Sequence, residues 1–468
     1  MNRWQNQEEA FQFAMSRNNC MLDMGMGTGK TRVAIDVVMA RSDVHKILIV
    51  CPKAVIGVWR ENLQKFYPDQ ERILWECWDM RKGTILQKTT SMNEWLKSRQ
   101  CTQAKLFIIV NYDAVWRVPM GDFIYKKAGF DMVILDESHR AKAAGSKTSK
   151  YLGMVGKTIR YKMCLSGTPM ANSPLDVYGQ YRFLDPSIYG TNHNLFEQTY
   201  AIKGGPDLRF IVGYKNLQQL QAKFQSIAYS CKMSEIADRI KLPAALPPIQ
   251  RKVELSPADM KTIKTLSREL ISECSQGHIV ASNVLVSLLR IQQICSGFCL
   301  VQQDVFDRGE VKELNTVKED ELQDILEDID IHESIVVFCQ FRHDLESVRK
   351  VSERLGRLHY ELSGSENTLE DWKAKEGAVI AVQIQAGSEG VDMTKANYAI
   401  YYSVPHSLAM YEQSKARLYR PGQTRPVSFI HIIAEKTADE SIYNALIRKK
   451  DIIDAIKDGT FDFGYIQG

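Results

Sequence analysis

The chain has 468 residues, 44% hydrophobic and 25% charged, an ordinary globular composition that excludes a disordered polymer and exceeds one comfortable core. No apolar run reaches the roughly 20 residues of a membrane helix, and the first residues lack a signal peptide's apolar core, so a cytoplasmic protein (nuclear, if eukaryotic) without a membrane partner is expected. A formal net charge of +4 permits a nucleic-acid ligand without demanding one, so any phosphate-binding surface would be a local groove.

The ten cysteines are scattered through apolar segments. Cys295 and Cys299 have no second pair at zinc-finger spacing, so reduced, buried thiols are the expectation.

Short apolar runs alternate with amphipathic segments along the first half. KILIVCP (46–52), KLFIIVNYD (105–113), DMVILDES (131–138) and YKMCLSGTP (161–169) read as strands of a buried parallel sheet. Residues 170–240 read mostly as helix. Three prolines in IKLPAALPPIQ (240–250) argue against a continuing helix, and a linker is placed at 243–250 between lobes of 1–242 and 251–468. The second half repeats the alternation after a helical segment at about 256–330. Its strand candidates are SIVVFCQF (334–341), LHYELSG (358–364), AVIAVQIQAGSEG (378–390), NYAIYYSVP (397–405) and VSFIHIIA (427–434). The expected fold class is therefore α/β, with two sheet-containing lobes and helical insertions.

MLDMGMGTGKTRVAIDVVM (21–39) carries the strongest local signal. Gly25, Gly27 and Gly29 flank Thr28 in a loop whose backbone N–H groups can turn toward phosphate oxygens. Lys30 would neutralise phosphate charge, Thr31 would offer a hydroxyl to Mg²⁺, and the following helix points its positive end at the same place. A Gly-rich turn that merely precedes Lys-Thr would look similar.

DMVILDESH (131–139) delivers two consecutive carboxylates to the carboxyl end of a strand, where open α/β sheets bind ligands. Asp136 would hold Mg²⁺, partly through water, and Glu137 would orient an attacking water. Gln7, upstream of the loop, has an amide that could read an adenine edge; a surface glutamine is the alternative.

In the second half, helical character runs to Pro421, so Gln413, Arg417 and Arg420 at i, i+4 and i+7 would share one face. Two guanidiniums there suit a triphosphate, as an arginine finger does; a solvated basic face is the bland alternative. The loop AGSEGVD (386–392) brings Gly390 and Asp392 between two strands, where backbone can approach a phosphate.

The order of these segments resembles a superfamily 2 helicase-like ATPase over nearly the whole chain. Gln7, GMGTGKT, LIVCPKAVIGVWRENLQKF, DESH, SGTP, VVFCQF, GSEGVD and QSKARLYRPGQ stand where its motifs stand. Within that superfamily the chain is most similar to the Swi/Snf-like double-stranded DNA translocases, through LSGTPMANSPLDVYGQYRFLDP (165–186), LLRIQQICSGF (288–298) and RLYRPGQTRPV (417–427). KTADESIYNALIRKKD (436–451) is similar to the family's C-terminal brace helix. Departures are Ser138 where alanine is commoner, Gly25 where an acidic residue is usual, and Val404, Pro405 and His406 where the family has Trp-Asn-Pro.

The resemblance implies two RecA-type lobes, ATP and Mg²⁺ as cofactors, and hydrolysis between the lobes coupled to travel on double-stranded DNA. It makes Lys53, Asn111, Tyr112, Ser166, Gln340 and Ser388 candidate contacts to nucleic-acid backbone. Such contacts are sequence-tolerant and salt-sensitive. A strand-separating or branch-migrating helicase is the second reading. A remodelling factor targeted by a protein partner is a third, of another class.

Overall fold

The computed structural model describes residues 3–68, 73–78, 83–99, 103–170, 173–204, 210–265, 289–301, 310–387, 391–405, 407–437, 439, 440, 442–444 and 446. The chain divides into two compact units at Asp238/Arg239.

The first unit is built on a seven-stranded sheet of β1 (Asn19–Met24), β2 (Lys46–Cys51), β3 (Ile73–Trp78), β4 (Lys105–Asn111), β5 (Met132–Asp136), β6 (Tyr161–Ser166) and β9 (Ala228–Cys231). Their order is β3-β4-β2-β5-β6-β1-β9, and every pairing is parallel. Strands covered on both faces must be apolar throughout, which is why β2, β4, β5 and β6 read as continuous hydrophobic runs. With all strands parallel, every carboxyl end falls on one edge. Helices α1 (Gln5–Met15), α2 (Lys30–Ala40) and α3 (Ile56–Phe66) are the first three in the chain. In α3, Ile56, Trp59 and Leu63 form the buried stripe at helical spacing.

Residues 170–240 are less helical than their sequence suggests. Helices Val177–Leu184, His193–Tyr200 and Leu217–Gln225 are interrupted by the antiparallel hairpin of β7 (Ala201–Gly204) and β8 (Phe210–Tyr214). The chain then returns to the main sheet as β9, alongside β1. Strands β1, β3 and β9 escape a periodicity reading. β1 runs into the glycine loop, whereas β3 and β9 are the two edge strands of the sheet.

The second unit holds a six-stranded parallel sheet of β10 (Ile249–Val253), β13 (Ile335–Cys339), β14 (His359–Leu362), β15 (Val379–Gln383), β16 (Tyr398–Tyr401) and β17 (Ser428–Ala434). The order is β10-β17-β16-β13-β15-β14. A small antiparallel pair, β11 (Phe298–Val301) and β12 (Glu310–Glu313), stands beside it in sequence. The expected linker 243–250 is part of this unit: Ala245 bridges Val427, and Leu246 N–H donates to the Val427 carbonyl at 3.0 Å. Its prolines forbid a helix but suit an extended edge, the one place in a sheet where missing N–H donors are tolerated. Much of the expected 256–330 helical segment and of the brace helix lies outside the described residues; helix Val317–Asp328 is within them.

Both sheets are parallel and flanked by helices, so the chain consists of two RecA-type lobes. Among the described residues no helix is long and apolar enough to cross a membrane, and no cluster of His, Cys, Asp or Glu could hold a metal by itself. Cys20, Cys51, Cys164, Cys231, Cys295 and Cys339 are buried.

Candidate functional site

Strand neighbours β5, β6 and β1 bring three carboxyl-terminal turns together in the first lobe. From β1 the chain enters the loop Gly25–Gly29 and then α2. Gly27 and Gly29 have φ of 76° and 96°, a region L side chains avoid, so these two positions require glycine. Gly25 N–H donates to the Cys231 carbonyl at 2.8 Å, tying the loop to β9. The Thr28 hydroxyl donates to the Gly25 carbonyl at 2.6 Å and is consumed within the loop.

Lys30 opens α2 and folds back: its Nζ donates to the carbonyls of Met24 at 2.7 Å and Gly25 at 3.2 Å. An ammonium bonded to these carbonyls can turn to a stronger acceptor such as phosphate. Thr31 lies half-buried in the first turn, where backbone N–H groups lack intrahelical partners.

Gln7 packs against the loop from α1. Its Nε2, with Asn6 Nδ2, donates to the Thr28 carbonyl at 3.3 and 3.2 Å, and its Oε1 accepts from Trp4 N–H at 3.2 Å. A Cβ on Gly29 would stand 2.2 Å from Gln7 Nε2. Gln7 is therefore a brace of the glycine loop, buried rather than a surface residue.

Asp136 ends β5 and is buried. Its Oδ2 accepts from Trp59 Nε1 at 2.7 Å and its Oδ1 from Glu137 N–H at 2.9 Å. Burial, helped by the neighbouring Glu137 charge, raises its carboxyl to about 6, against the opposing influence of Trp59 and Lys30. Glu137 adopts φ 49° and ψ 52°, a conformation costing about 1 kcal/mol or more for a side-chain-bearing residue. That turn puts its carboxylate 3.3 Å from His139 Nδ1, which lies 3.3 Å from Ser166 Oγ. Ser166 Oγ also accepts from Thr168 N–H at 3.1 Å.

Three of the candidate contacts to nucleic acid, Asn111, Tyr112 and Ser166, are buried in this structure. Asn111 Oδ1 accepts from Asp113 N–H at 3.0 Å and Ala114 N–H at 2.9 Å, capping its own turn. The Tyr112 hydroxyl donates to the Asp136 carbonyl at 2.8 Å. Asn111 Oδ1, the Tyr112 hydroxyl and Ser166 Oγ thus each meet a backbone group at the ends of β4, β5 and β6. Lys53, in the turn Lys53–Val55, is exposed, and Gln340 is half-buried. Gln340 N–H donates to Ser403 Oγ at 2.7 Å and to Asp344 Oδ2 at 3.2 Å. Ser388 and Gly390 lie outside the described residues.

In the second lobe the helix Leu408–Leu418 carries Gln413, which is buried, and Arg417, which is half-buried. It ends earlier than the heptad-like spacing implies. Arg420 lies two residues beyond it, in a turn, so the three residues do not share one helix face. The physical reason is Pro421, which disfavours helical backbone at the residue before it. Gln423 then organises the turn: Nε2 donates to the carbonyls of Ala396 at 2.9 Å and Leu418 at 3.3 Å, and Oε1 accepts from the N–H groups of Thr424 and Arg425. Asp392 Oδ1 accepts from Thr394 N–H at 2.9 Å and its hydroxyl at 2.8 Å. Burial works to raise the Asp392 carboxyl, but the Thr394 bonds and the nearby Arg420 charge hold it below the usual range.

The first-lobe edge thus collects a glycine loop open to backbone approach, a lysine, a helix N-terminus with a hydroxyl in its first turn, and a buried carboxylate. That donor set fits a nucleotide triphosphate with Mg²⁺: the lysine and N–H groups suit phosphate, and Thr31 and Asp136 are oxygen ligands.

Trp59 and Gln180 (whose bonds to Ser138 and Pro169 join two of these turns) were not legible as site residues. Each sits in an apolar helical or strand pattern that reads as core, and nothing in the spacing marks it otherwise.

The SNF2-related domain matches residues 3–298, and the helicase conserved C-terminal domain matches residues 317–422. Chromodomain-helicase-DNA-binding protein 1-like of Danio rerio is 24% identical over 461 residues, covering 95% of this chain and 43% of that protein. Human DNA repair and recombination protein RAD54B is 22% identical over 500 residues, covering 94% of this chain and 52% of its own length. Protein p41 of Acyrthosiphon pisum secondary endosymbiont phage 1 is 25% identical over 468 residues, 94% of each chain. The chain therefore spans about half the length of the two vertebrate relatives. Among solved structures, the Sulfolobus solfataricus SWI2/SNF2 ATPase core in complex with dsDNA aligns over 98% of this chain and 94% of that one, with 20% identity and a TM-score of 0.43.

Proposed function

This chain belongs to the SNF2-related family of helicase-like ATPases, and we propose that it couples ATP hydrolysis to translocation on double-stranded DNA. The observation that carries the reading is the β5-β6-β1 order. It gathers the Gly25–Thr31 loop, Asp136 and Glu137, and Ser166 at one sheet edge.

In this reading the loop N–H groups and Lys30 bind the phosphate chain, and Thr31 and Asp136 hold Mg²⁺. When bound, Mg²⁺ supplies charge neutralisation on the phosphate oxygens. Glu137 orients a water and accepts its proton, and the strained turn that carries Glu137 fixes its aim. His139, within reach of both Glu137 and Ser166, ties that carboxylate to the turn after β6. Arg417 and Arg420 offer guanidiniums to developing phosphate charge, with Gln423 holding the turn that carries Arg420. Gln413 joins the two arginines as a proposed catalytic residue, and Asp392, near the Arg420 charge, and Gly390 are the second lobe's proposed nucleotide contacts.

The DNA part of the reading rests on family membership and on relatives named for DNA binding, repair and recombination. Exposed Lys53 and half-buried Gln340 are the more accessible of the described candidates for gripping backbone phosphate. A protein partner for targeting is a separate part of the proposal.

The test is steady-state ATP hydrolysis without nucleic acid and with single-stranded DNA, blunt duplex DNA and duplex RNA, using Glu137→Gln as the blank. Strong stimulation by the blunt duplex, followed by triplex displacement, supports the reading. Stimulation chiefly by single strands or RNA replaces it with the strand-separating helicase, and stimulation by none of them with the partner-targeted factor.

A further inference from the structure

We propose that Trp59 is the positioning residue for Asp136, so that helix α3, which follows the exposed Lys53 turn, sets the orientation of the carboxylate assigned to Mg²⁺. The proposal rests on the nucleotide-site reading above and adds a residue to it.

Trp59 is completely buried, and a buried indole N–H must be given an acceptor. Here the acceptor is Asp136 Oδ2, at 2.7 Å, with Oδ1 held by Glu137 N–H at 2.9 Å. The two donors fix both the rotation and the tilt of the carboxyl plane, leaving the remaining lone pairs for an external ligand. A bond from a neutral donor to a carboxylate is charge-assisted and strengthened by exclusion of water.

Ile56 and Leu63 complete the buried stripe of α3, so apolar packing alone would be served by phenylalanine at 59. The helix begins immediately after the turn Lys53–Val55. A displacement of that turn along the α3 axis would therefore carry the Trp59 N–H with it and reorient Asp136. Hydrogen-bond partners of metal-binding carboxylates typically hold a factor of 10–100 in metal affinity.

The test is a Mg²⁺ titration of binding of a fluorescent ADP analogue, read by fluorescence without turnover, for wild type and Trp59→Phe. The expected result is a rise of about tenfold in the Mg²⁺ needed for half-saturation, with binding restored at excess Mg²⁺. In an Asp136→Asn background the same substitution should then change nothing further. An unchanged Mg²⁺ requirement in Trp59→Phe overturns the proposal, whereas failure of wild type to bind the analogue overturns the nucleotide-site reading instead. Should Trp59→Phe not fold, wild type with ¹⁵N-labelled indoles decides. One of its seven Trp N–H signals should move both on adding Mg²⁺·ADP and on Asp136→Asn. If no single signal responds to both, Trp59 does not position Asp136.

Discussion

Ser138 donates its hydroxyl proton to Gln180 Oε1 at 2.7 Å, and both side chains are fully buried. Gln180 Nε2 in turn donates to the Pro169 carbonyl at 2.7 Å. The turn after Asp136-Glu137 and the turn after Ser166 are thereby joined through the helix Val177–Leu184. Gly179 permits the approach, since a Cβ there would stand 2.1 Å from the Ala141 carbonyl. Ser138 is thus one half of a buried polar pair.

Ser138→Ala should destabilise the first lobe by about 1–3 kcal/mol, because Gln180 Oε1 is left buried without its donor. In a Gln180→Leu background the same change should cost less than half as much. Denaturant unfolding of the four proteins in a double-mutant cycle checks this, and additive costs would show that the two residues are not coupled.

Gly29→Ala should weaken nucleotide binding and lower stability by about 1–2 kcal/mol, because φ of 96° strains any side-chain-bearing residue. The new methyl also displaces the Gln7 amide. Adding Gln7→Ala removes the second conflict and not the first, so thermal melts should show recovery that is partial only.

Lys30→Ala should abolish hydrolysis while leaving the fold intact, since the loop keeps its own ties from Thr28 to Gly25 and from Gly25 to Cys231. Turnover and circular dichroism of the variant decide; retained turnover would remove Lys30 from the phosphate site.

Arg420→Ala should slow hydrolysis by a factor of ten or more, by analogy with the magnitude of arginine-finger losses. It should change the melting temperature little, because Gln423 rather than Arg420 holds the turn. Gln423→Ala should show the opposite balance, with stability falling as buried carbonyls at Ala396 and Leu418 lose their donor. Equal stability losses in the two variants would contradict this division.

His431 is buried in the second lobe, stacked on Tyr401, with Nε2 2.9 Å from the Tyr411 hydroxyl and Nδ1 3.4 Å from the Ile249 carbonyl. Burial lowers its pKa to about 3, so the ring stays neutral in the folded state while an unfolded chain protonates near 6.5. The group's contribution is complete above about pH 6.5 and is lost as pH falls toward 3, reaching about 2 kcal/mol at pH 5. Unfolding at pH 7.5 and 5.0 should show that extra loss in wild type relative to His431→Gln, which keeps a donor and an acceptor but does not titrate. Equal losses would mean that His431 is not held neutral.

The elements that carry the site were readable from the chain alone wherever burial imposes a pattern. The cores of β2, β4, β5 and β6 are unbroken apolar runs because both faces of a parallel sheet are covered. The Gly25–Thr31 loop and the Asp136-Glu137 pair announce themselves because phosphate and metal chemistry needs those residue types together. What a polar side chain does at the end of a strand is decided elsewhere. Asn111, Tyr112 and Ser166 read as grips for a ligand, and in the fold they are buried and meet backbone groups at the ends of β4, β5 and β6. Trp59 reads as core, yet its N–H meets Asp136, a residue 77 positions away. Arg420 leaves the helix face because Pro421 and Gln423 build a turn there. Periodicity records how much of each element is buried, but the direction of a hydrogen bond depends on which strands lie side by side. That order, β5-β6-β1 in the first lobe, exists only in the folded chain.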